Sequence, residues 1–317
     1  MATAPGPRTE VVIEGRTLSL SNLDKVLYPR AGFTKAQVID YYLRVAPAML
    51  PHVRGHAMTL KRYPNGVDRP FFFEKQCPSH APDWVRTFPI WSGDTKRDID
   101  YCLVDDLPTL VWVANLAALE LHPSLAVAPD IGCPRSVVFD LDPGEPAAVL
   151  ECAEVALALR ELFEPLGLQA FAKTSGSKGL QVYVPLNTPA TYQETKTFAL
   201  AVAQTLERSM TGKVVSNMNK AVRAGRVFVD WSQNDQHKTT IGVYSLRARE
   251  QPTVSTPVAW EELERAVALT PGPSPVATGE GSLGPLVFTA PMVLERVATL
   301  GDLFAPMERL EQSLPRL

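Results

Sequence analysis

The sequence has few cysteines and no long apolar run. Its four cysteines, Cys77, Cys102, Cys133 and Cys152, include no C-x-x-C pair, so the sequence signals neither a zinc site built from cysteines nor a disulfide framework. We interpret them as reduced thiols of a cytoplasmic protein. No segment approaches the roughly 18 to 20 apolar residues that span a bilayer, and residues 1–15 lack the basic and apolar regions of a secretory signal. The sequence therefore disfavours membrane and secreted proteins.

Two nucleotide-binding signatures are missing as well. No G-x-G-x-x-G follows a predicted strand and no G-x-x-x-x-G-K-[ST] occurs, which disfavours a Rossmann dehydrogenase and a P-loop NTPase. The net charge is only −3, from 31 basic and 34 acidic residues, whereas domains that bind nucleic acids usually look basic.

The charge is unevenly distributed, however. Residues 213–249 contain seven basic and two acidic side chains, a local excess of +5, so the rest of the chain carries −8. This basic segment is a candidate surface for a polyanion. A solvated face with scattered charges explains the count equally well.

Periodicity and capping residues predict four helices. The first is capped by Thr34, runs to about Leu50 with an interruption at Pro47, and is closed by Pro51. The other three extend over Glu145 to Leu166, over Thr191 to Met210, and onward from Thr256-Pro257.

Five short runs of β-type residues lie between these helices: 136–142, 168–173, 180–186, 226–231 and 239–245. Strands mixed with long helices, with the second and third strands joined by a short turn, favour an α+β or mixed fold over a doubly wound parallel sheet. The Pro- and Gly-rich stretch 270–285 is typical of a surface loop. We expect a single domain that spans residues 1–317.

The sharpest motif is an Asp-x-Asp at the end of a predicted strand. Val137, Phe139 and Leu141 alternate with Asp140 and Asp142, so the two carboxylates should share one face, about 7 Å apart at Cα. Two carboxylates at that distance repel each other unless a cation lies between them, and oxygen ligands suit Mg²⁺ or Mn²⁺. The alternative is an ordinary strand end that leads into an Asp-Pro-Gly turn.

A third acid strengthens the metal interpretation. Asp230 ends the apolar run 226–231 and shares a face with Phe228 and Arg226. Three carboxylates on neighbouring strands would complete the ligand set for two ions about 3.5 to 4 Å apart, as in phosphoryl transfer. A turn acid at a strand end is again the alternative.

Cationic and hydroxyl side chains elsewhere could bind phosphates. The turn Thr174 to Gly179 offers small residues, Ser175, Lys178 and free backbone N–H groups, although it could equally be a plain hairpin turn. Arg247 and His122 are further candidates, and a lone histidine is more often structural.

Basic and aromatic residues alternate nearer the N-terminus. Lys61 and Arg62 precede Phe71, Phe72 and Phe73, a pattern that suits contacts with a nucleic-acid strand. The alternative is a buried phenylalanine run, and it is expected to hold for at least one of the three rings.

These motifs resemble a known family. The segments NLDKVLYP (22–29), RYPNG (62–66), FFEK (72–75), FDLDPG, TSGSKGL, VFVDWSQN and YSLR resemble, in order from about residue 18 to 250, the polymerase domain of bacterial DNA ligase D. This domain is an archaeo-eukaryotic primase superfamily polymerase of non-homologous end joining. After Gln251 the resemblance is weak.

The resemblance implies a primase-like α+β core of mixed and antiparallel sheets flanked by helices. It implies nucleotide addition to a primer 3′ end, two Mn²⁺ or Mg²⁺ ions and a preference for ribonucleotides. Asp140, Asp142 and Asp230 would be the catalytic metal ligands. The incoming nucleotide would meet Lys61, His122, Ser175, Lys178, Arg223, Gln233 and Arg247, of which Lys61 and Arg223 could instead lie near the primer.

The resemblance also implies how DNA is bound. Lys25 and Lys35 would grip a 5′-phosphate at a gap or a broken end, and Phe72 and Phe73 would stack on the template. The expected partners are such DNA, an NTP or dNTP, a separate DNA ligase and a Ku-type end-binding protein, in the cytoplasm of a bacterium and without a membrane.

Two departures from the family pattern keep other functions open. No ligase or nuclease module follows the polymerase motifs, so we expect a stand-alone polymerase, and the connection from His122 to Asp140 is shorter than is usual in the family. Gap filling in excision repair is therefore an alternative to end joining. A metal-dependent nuclease and a non-catalytic DNA end-binding module are the alternatives from other classes.

Overall fold

The computed structural model describes residues 8–269 and 284–315. The strands are β1 (Arg8–Ile13), β2 (Arg16–Ser21), β3 (Val26–Tyr28), β4 (Phe33–Thr34), β5 (His56–Arg62), β6 (Phe72–Glu74), β7 (Thr87–Ser92), β8 (Arg97–Leu103), β9 (Ala118–Val127), β10 (Ser136–Pro143), β11 (Phe171–Thr174), β12 (Leu180–Pro185), β13 (Val214–Val215), β14 (Val227–Asp230) and β15 (Pro257–Val258). The helices are α1 (Lys35–Val53), α2 (Leu107–Asn115), α3 (Val149–Phe163), α4 (Tyr192–Ser209), α5 (Trp260–Ala268) and α6 (Ala290–Leu300).

Two larger sheets organise the chain. One has six strands in the order β13-β14-β10-β12-β11-β15, and the other contains β6-β5-β8-β7 with β9 also paired to β5. Their pairings are antiparallel except that of β13 with β14, which is parallel. The strands β1 with β2 and β3 with β4 form two small ribbons. The predicted α+β class with mixed and antiparallel sheets is confirmed.

The six-stranded sheet buries one face under helices. Val137, Phe139 and Leu141 are fully buried in a core that also contains Phe163 of α3 and Phe198 of α4. Because side chains alternate along a strand, the other face of β10 is free to carry polar groups. The predicted alternation along β10 is confirmed.

A second core lies between α1, α2 and the five-stranded sheet. Tyr41 and Tyr42 of α1 are buried there and donate hydrogen bonds to the carbonyls of Tyr244 and Leu119, each at 2.8 Å. Leu119 is on β9, whereas Tyr244 belongs to the segment 239–249, which crosses between the two sheets. Tyr41, together with Tyr42 Oη, which accepts from the Leu246 N–H at 3.1 Å, ties the crossing segment to α1.

The first predicted helix is confirmed at its start and wrong at its end. Thr34 is the N-cap, and its side chain accepts from the backbone N–H of Gln37. The helix passes through Pro51 and continues to Val53, with the Arg54 N–H bonded to the Leu50 carbonyl. A proline removes only its own N–H donor, so the last turn closes around it.

The second predicted helix is shorter than expected, and the third is confirmed from Thr191 to Met210. The one placed at Glu145 begins at Val149, because a turn that closes with a hydrogen bond from the Ala147 N–H to the Gly144 carbonyl comes first. Its α-helical part ends at Phe163 and continues as a 3₁₀ turn to Gly167, which has a left-handed backbone. The following helix is capped by Thr191, as predicted.

Two other predicted elements are wrong. Residues 239–245 are not a strand but part of the crossing segment 239–249. The Gly242 N–H in this part donates to the Leu121 carbonyl at 2.8 Å. The helix expected at Thr256-Pro257 begins at Trp260, because Pro257–Val258 pairs with β11 as β15. The stretch 270–285 lies outside the described residues except for its last two positions.

The expectation of four reduced cysteines is wrong for one pair. Cys77 and Cys102 form a disulfide with their Cα atoms 5.1 Å apart. They are 25 positions apart in sequence, and the Cys77 N–H bonds to the Asp100 carbonyl on β8, a contact that no sequence spacing reveals. Cys133 and Cys152 are free. None of the helices described in residues 8–269 and 284–315 is both long and apolar enough to cross a bilayer.

Candidate active site

Four polar side chains form a row across the six-stranded sheet. Asp140 on β10 lies directly opposite Asp230 on β14 and Gln181 on β12, and Lys173 on β11 lies opposite Gln181. Residues directly opposite in antiparallel strands share a face, here the face turned away from α3 and α4. Asp142 shares that face because it follows Asp140 by two positions. The structure thus brings the three predicted aspartates together.

The two acids of the Asp-x-Asp motif repel each other. Burial, and then the charge of Asp142, raise the pKa of Asp140 to about 7. Burial, and then the charge of Asp230, raise the pKa of Asp142 as well. A nearby positive charge would relieve both effects, because an opposite charge stabilises the ionised carboxylate.

Asp230 is hydrogen-bonded within its own turn. Its Oδ1 accepts from the Ser232 N–H at 2.9 Å and its Oδ2 accepts from Gln233 Nε2 at 3.0 Å. Within the described part of the chain, no three Asp, Glu, His or Cys side chains are gathered as they stand into a cluster that could hold a metal ion. The carboxylate oxygens nevertheless fit a divalent cation chemically. The bonds from Ser232 and Gln233 orient Asp230, and its oxygens keep lone pairs that could bind a cation together with Asp140 and Asp142.

A buried lysine completes the polar row. The Lys173 ammonium is almost fully buried and donates to Gln181 Oε1, to Ser255 Oγ at 2.7 Å and to the Ile241 carbonyl at 3.0 Å. Burial lowers the pKa of Lys173 to about 7, against the attraction of Asp140. Gln181 therefore links this lysine to Asp140.

The turn between β11 and β12 packs closely against β10. A Cβ atom on Gly179 would lie 2.1 Å from the Leu141 carbonyl oxygen, and one on Gly176 would lie 2.7 Å from Arg247 Cγ. Only glycine permits both approaches, which carry Ser175 and Lys178 to the end of β10 that bears Asp142.

The turn does not offer the free N–H groups that the sequence suggests. Ser175 Oγ accepts from the N–H groups of Ser177 and Gly179, each at 3.2 Å. The exposed Lys178 ammonium donates to Glu145 at 2.7 Å. The predicted nest of donors is therefore wrong for those two groups, because the serine hydroxyl folds back on its own turn.

Arg223 reaches the acids from the loop before β14. Its guanidinium lies 3.5 Å from the centre of the Phe228 ring and donates to the Met218 carbonyl at 2.6 Å. Phe228 is directly opposite Asp142 in the sheet, and the charge of Arg223 opposes the rise in the pKa of that acid.

Three predicted nucleotide-binding cations meet at one buried carboxylate. Glu120 on β9 lies 3.0 Å from His122 Nε2, 3.5 Å from Lys61 Nζ and 3.6 Å from Arg247 Nε. Burial alone would raise the pKa of Glu120, but the hydrogen bond from His122, followed by the charges of Arg247, His122 and Lys61, lowers it to about 2. The structure brings Lys61, His122 and Arg247 together, and sequence reasoning missed the acid that joins them.

The three phenylalanines are all exposed, at 49%, 43% and 58% for Phe71, Phe72 and Phe73, so the expectation of a buried ring is wrong. They lie on a short edge strand and the residue before it, with no layer above. Phe71 and Phe73 lie beside the Lys61 ammonium, which is 4.3 and 5.6 Å from their ring centres, whereas Phe72 lies against Arg62. Phe72 and Phe73 therefore point to opposite faces of the sheet.

The two predicted phosphate-binding lysines are neighbours. The Lys35 N–H bonds to the Lys25 carbonyl at 2.8 Å, and the Lys35 ammonium donates to the Ser21 carbonyl at 2.6 Å. Burial, followed by the charges of Lys25 and Arg62, lowers the pKa of Lys35 to about 8. Lys25 is exposed and donates to Asn65 at 3.0 Å. An anion beside this pair would offset their mutual repulsion.

A cavity of about 750 Å³ lies elsewhere, lined by Lys173 and Tyr183 of one sheet and by His56 and Ser124 of the other. None of the predicted site residues lines it. The cavity meets the polar row of the six-stranded sheet at Lys173.

Comparisons with known proteins agree with these observations. Residues 34–271 match the family model described as the LigD primase-polymerase domain. The chain is 43% identical over 308 residues to the multifunctional non-homologous end joining protein LigD of Mycobacterium bovis, which covers 94% of this chain and 37% of that protein. It is 30% identical over 299 residues to the bifunctional LigD protein of Bacillus subtilis, covering 94% of this chain and 45% of that one.

A solved structure is similar over nearly its whole length. The polymerase domain of Mycobacterium tuberculosis ligase D, solved in complex with DNA, matches with a TM-score of 0.82 and 41% sequence identity. The match covers 93% of this chain and 99% of that one. The primase-like fold expected from the sequence motifs is confirmed.

Proposed function

Because the chain belongs to the LigD primase-polymerase domain family, we propose that it is a template-dependent polymerase that adds nucleotides to a primer 3′ end at gaps or double-strand breaks. The observation that supports this proposal most strongly is the position of the three aspartates on two adjacent strands, with Asp140 directly opposite Asp230. The chain spans less than half the length of the LigD relatives described above, so the activity of those whole proteins is a proposal for this one.

The acids would hold two divalent ions, Mn²⁺ or Mg²⁺. Asp140 and Asp142 would bind both, and Asp230 would bind one while Ser232 and Gln233 orient it. The ions supply a lowered pKa for an attacking hydroxyl and neutralise charge on a leaving group. Lys173 and Gln181 keep Asp140 oriented on its strand through the bonds described above.

The cations would bind and orient the nucleotide. Lys61, His122 and Arg247 carry donors that suit phosphate oxygens, and the exposed Lys178 could exchange Glu145 for a phosphate at little cost, because a solvent-exposed ion pair contributes only about 0 to 1 kcal/mol. Ser175, Gln233 and Arg223 lie at the rim of the acids, where a sugar or a triphosphate would pass.

The remaining assignments concern DNA and partners. Lys25 and Lys35 would bind a 5′-phosphate across the gap. Phe72 and Phe73 lie on opposite faces of the sheet, so only one ring of this pair can stack on a given base, and Phe73 is the ring on the nucleotide side. A preference for ribonucleotides, a separate ligase, a Ku-type partner and action in the bacterial cytoplasm, with no membrane involved, complete the proposal.

Primer extension on a gapped duplex tests the function. The unmutated protein should extend the primer in the presence of Mn²⁺ and a nucleoside triphosphate, and should do so better when the downstream strand carries a 5′-phosphate. Parallel reactions with ribo- and deoxyribonucleotides measure the sugar preference. Extension on a short gap compared with a broken end with an overhang distinguishes gap filling in excision repair from end joining.

The same reactions test the other classes of function. Labelled DNA incubated with metal and without nucleotides should remain intact; its degradation would instead support a nuclease. DNA binding with no extension under any metal would support an end-binding module. The three buried or partly buried acids at the strand ends favour the polymerase, since a module that only binds DNA has no use for them.

A further inference from the structure

Glu120 is a buried charge to which the proposed function assigns no role. Its side chain is 3% exposed, and it lies on β9 between Leu119 and Leu121, both fully buried. A carboxylate at that depth is costly unless charged or polar groups surround it. The groups that surround Glu120 therefore indicate what it does.

Its charged partners come from three separate segments of the chain. Lys61 lies on β5, His122 lies on β9, and Arg247 lies in the crossing segment 239–249. Glu120 Oε2 is 3.0 Å from His122 Nε2, both carboxylate oxygens are 3.5 Å from Lys61 Nζ, and Oε1 is 3.6 Å from Arg247 Nε. Without Glu120, the Lys61 and Arg247 cations would face each other with no anion between them, and His122, whose pKa burial lowers, would lose its hydrogen-bond partner.

A backbone contact ties the crossing segment to the same carboxylate. The Ala248 N–H donates to Glu120 Oε1 at 3.1 Å, which fixes the chain directly after Arg247. Arg247 Nε is buried and has no hydrogen-bond partner among the described residues, so the ion pair with Glu120 is its main protein restraint. Glu120 thus pairs with the Arg247 side chain and adds one bond to a backbone that is also held by the Arg247 N–H bond to the Thr253 carbonyl at 2.7 Å.

We propose that Glu120 is a positioning residue that arranges Lys61, His122 and Arg247 for the triphosphate of the incoming nucleotide. This inference rests on the proposed function. Glu120 lies 3.0 Å from His122 Nε2 and so orients the ring; the Nδ1 of His122 donates to a phosphate only when the ring is protonated. A fixed set of donors binds more tightly than a mobile one, since less conformational entropy is lost on binding.

A rival role predicts the opposite sign. If Glu120 only reduced the local positive charge, replacing it with a neutral group would tighten the binding of a triphosphate, because the pocket would gain one net positive charge. If Glu120 positions the cations, the same replacement weakens binding even though the net charge becomes more favourable. The sign of the change in affinity therefore separates the two roles.

The test compares Glu120→Gln with a matched control, Glu262→Gln. Glu262 also pairs with an arginine, Arg296, and accepts a backbone N–H from Ala259 at 2.8 Å, but it lies on α5, far along the chain from the site. Calorimetry measures the dissociation constant of a nucleoside triphosphate with Mg²⁺ and no DNA. We expect about tenfold weaker binding for Glu120→Gln, the scale of one lost hydrogen bond to a charged group, and no change for Glu262→Gln.

Primer extension supplies a second readout. For Glu120→Gln we expect KM for the nucleotide to rise about tenfold while kcat at saturating nucleotide stays within about threefold, the pattern of lost binding rather than lost chemistry. Unchanged or tighter binding by Glu120→Gln overturns the inference, and a fall in kcat with KM unchanged also overturns it.

The melting temperature of each variant shows whether it is folded at the assay temperature. If Glu120→Gln unfolds at the assay temperature, Glu120→Asp replaces it, because aspartate keeps the charge but withdraws it by one methylene. An intermediate loss of affinity supports the positioning role, and full affinity overturns it. If the unmutated protein binds no nucleotide, the proposed function fails; if it binds and Glu120→Gln binds equally, only the inference fails.

Discussion

The site has an acid half, which consists of Asp140, Asp142 and Asp230, and a cation half, which consists of Glu120 with Lys61, His122 and Arg247. The pKa values of the carboxylates are shifted in opposite directions in the two halves. On the six-stranded sheet, burial and mutual repulsion raise the pKa of Asp140 and Asp142. On the five-stranded sheet, hydrogen bonds and three cations lower the pKa of Glu120 to about 2. The cations near the acids, which are Lys173, Arg223 and Arg247, do not offset burial and repulsion, whereas the cations on the other sheet already have a counter-charge in Glu120.

This difference teaches which half is preformed. The cations around Glu120 are arranged before a nucleotide arrives, so they can act as a fixed receptor for phosphates. Repulsion between the acids lowers the stability of the folded protein, and a bound positive charge would relieve that repulsion. Such a loss of stability is typical of functional sites. The two halves should therefore respond in opposite ways to mutation, pH and metal.

The largest effect is expected in the acid half. Asp230→Ala should reduce nucleotide addition by about 10³-fold or more, because the acid supports charge that develops at the reacting centre. DNA binding should stay within about twofold, because Lys25 and Lys35 lie on other elements than Asp230 and distant sites act independently. Single-turnover extension and a gel-shift titration measure the two quantities, and extension by Asp230→Ala at near the unmutated rate would contradict the assignment.

A smaller effect is expected in the cation half. Arg247→Met should weaken nucleotide affinity by about ten- to hundredfold, the scale of charge-assisted hydrogen bonds to a phosphate. Removing Arg247 leaves Glu120 paired with Lys61 and His122, so the fold should persist. Calorimetric titration with a nucleoside triphosphate checks the affinity, and Arg265→Met, at an exposed arginine on α5, is the control. An unchanged dissociation constant would remove Arg247 from the nucleotide site.

The pH dependence of stability should have opposite signs in the two halves. Asp140 binds its proton more tightly when folded, so its contribution to the free energy of unfolding falls as pH rises from about 4 to 7. Glu120 has a lowered pKa, so its contribution is full above pH 4.5 and is lost as pH falls toward 2.

Metal-free denaturant unfolding across this pH range measures the two contributions. Asp140→Asn should raise the free energy of unfolding at pH 7 by about 1 kcal/mol or more, and Glu120→Gln should lower it by about 2 to 3 kcal/mol, the usual cost of leaving buried charges unpaired. Two variants that shift stability in the same direction would break the comparison between the halves.

The smallest effect concerns the DNA end. Lys25→Ala and Lys35→Ala should each reduce the preference for a 5′-phosphorylated gap by about three- to tenfold, as expected for the loss of one charged contact to a phosphate. Paired titrations with phosphorylated and unphosphorylated gaps measure that ratio, with Lys196→Ala, at a lysine of α4 paired with Asp235, as the control. Equal binding of both gaps by the unmutated protein would remove the phosphate site altogether.

How much of the fold and of the site could be predicted depends on whether the interacting residues are close in sequence. The alternation of Asp140 and Asp142 with apolar residues is local, so the strand period of two predicts their common face. The cap at Thr34 and the turn after β11 are local as well. The same period predicts that Phe72 points away from Phe71 and Phe73, and the structure confirms this, although the family motif pairs Phe72 with Phe73.

The parts that were missed depend on contacts distant in sequence. Glu120 and His122 lie on one strand, but Arg247 reaches them only because the crossing segment passes beside β9. That segment has the composition of a strand, although it forms a connection between the sheets. Pro257 resembles the first residue of a helix, yet pairing with β11 prevails over that local preference. Cys77 meets Cys102 because of the sheet, not because of their spacing.

Metal binding by the acid half tests the central claim most directly. Mn²⁺ is titrated calorimetrically at pH 7 into the unmutated protein and into the double variant Asp140→Asn, Asp142→Asn, in two buffers with different ionisation enthalpies. We expect Mn²⁺ to bind the unmutated protein and to release protons, because the raised pKa of Asp140 leaves part of that acid protonated before the metal arrives. The double variant should bind no Mn²⁺ at the site. Equal binding by both proteins, with no proton release, would contradict the account.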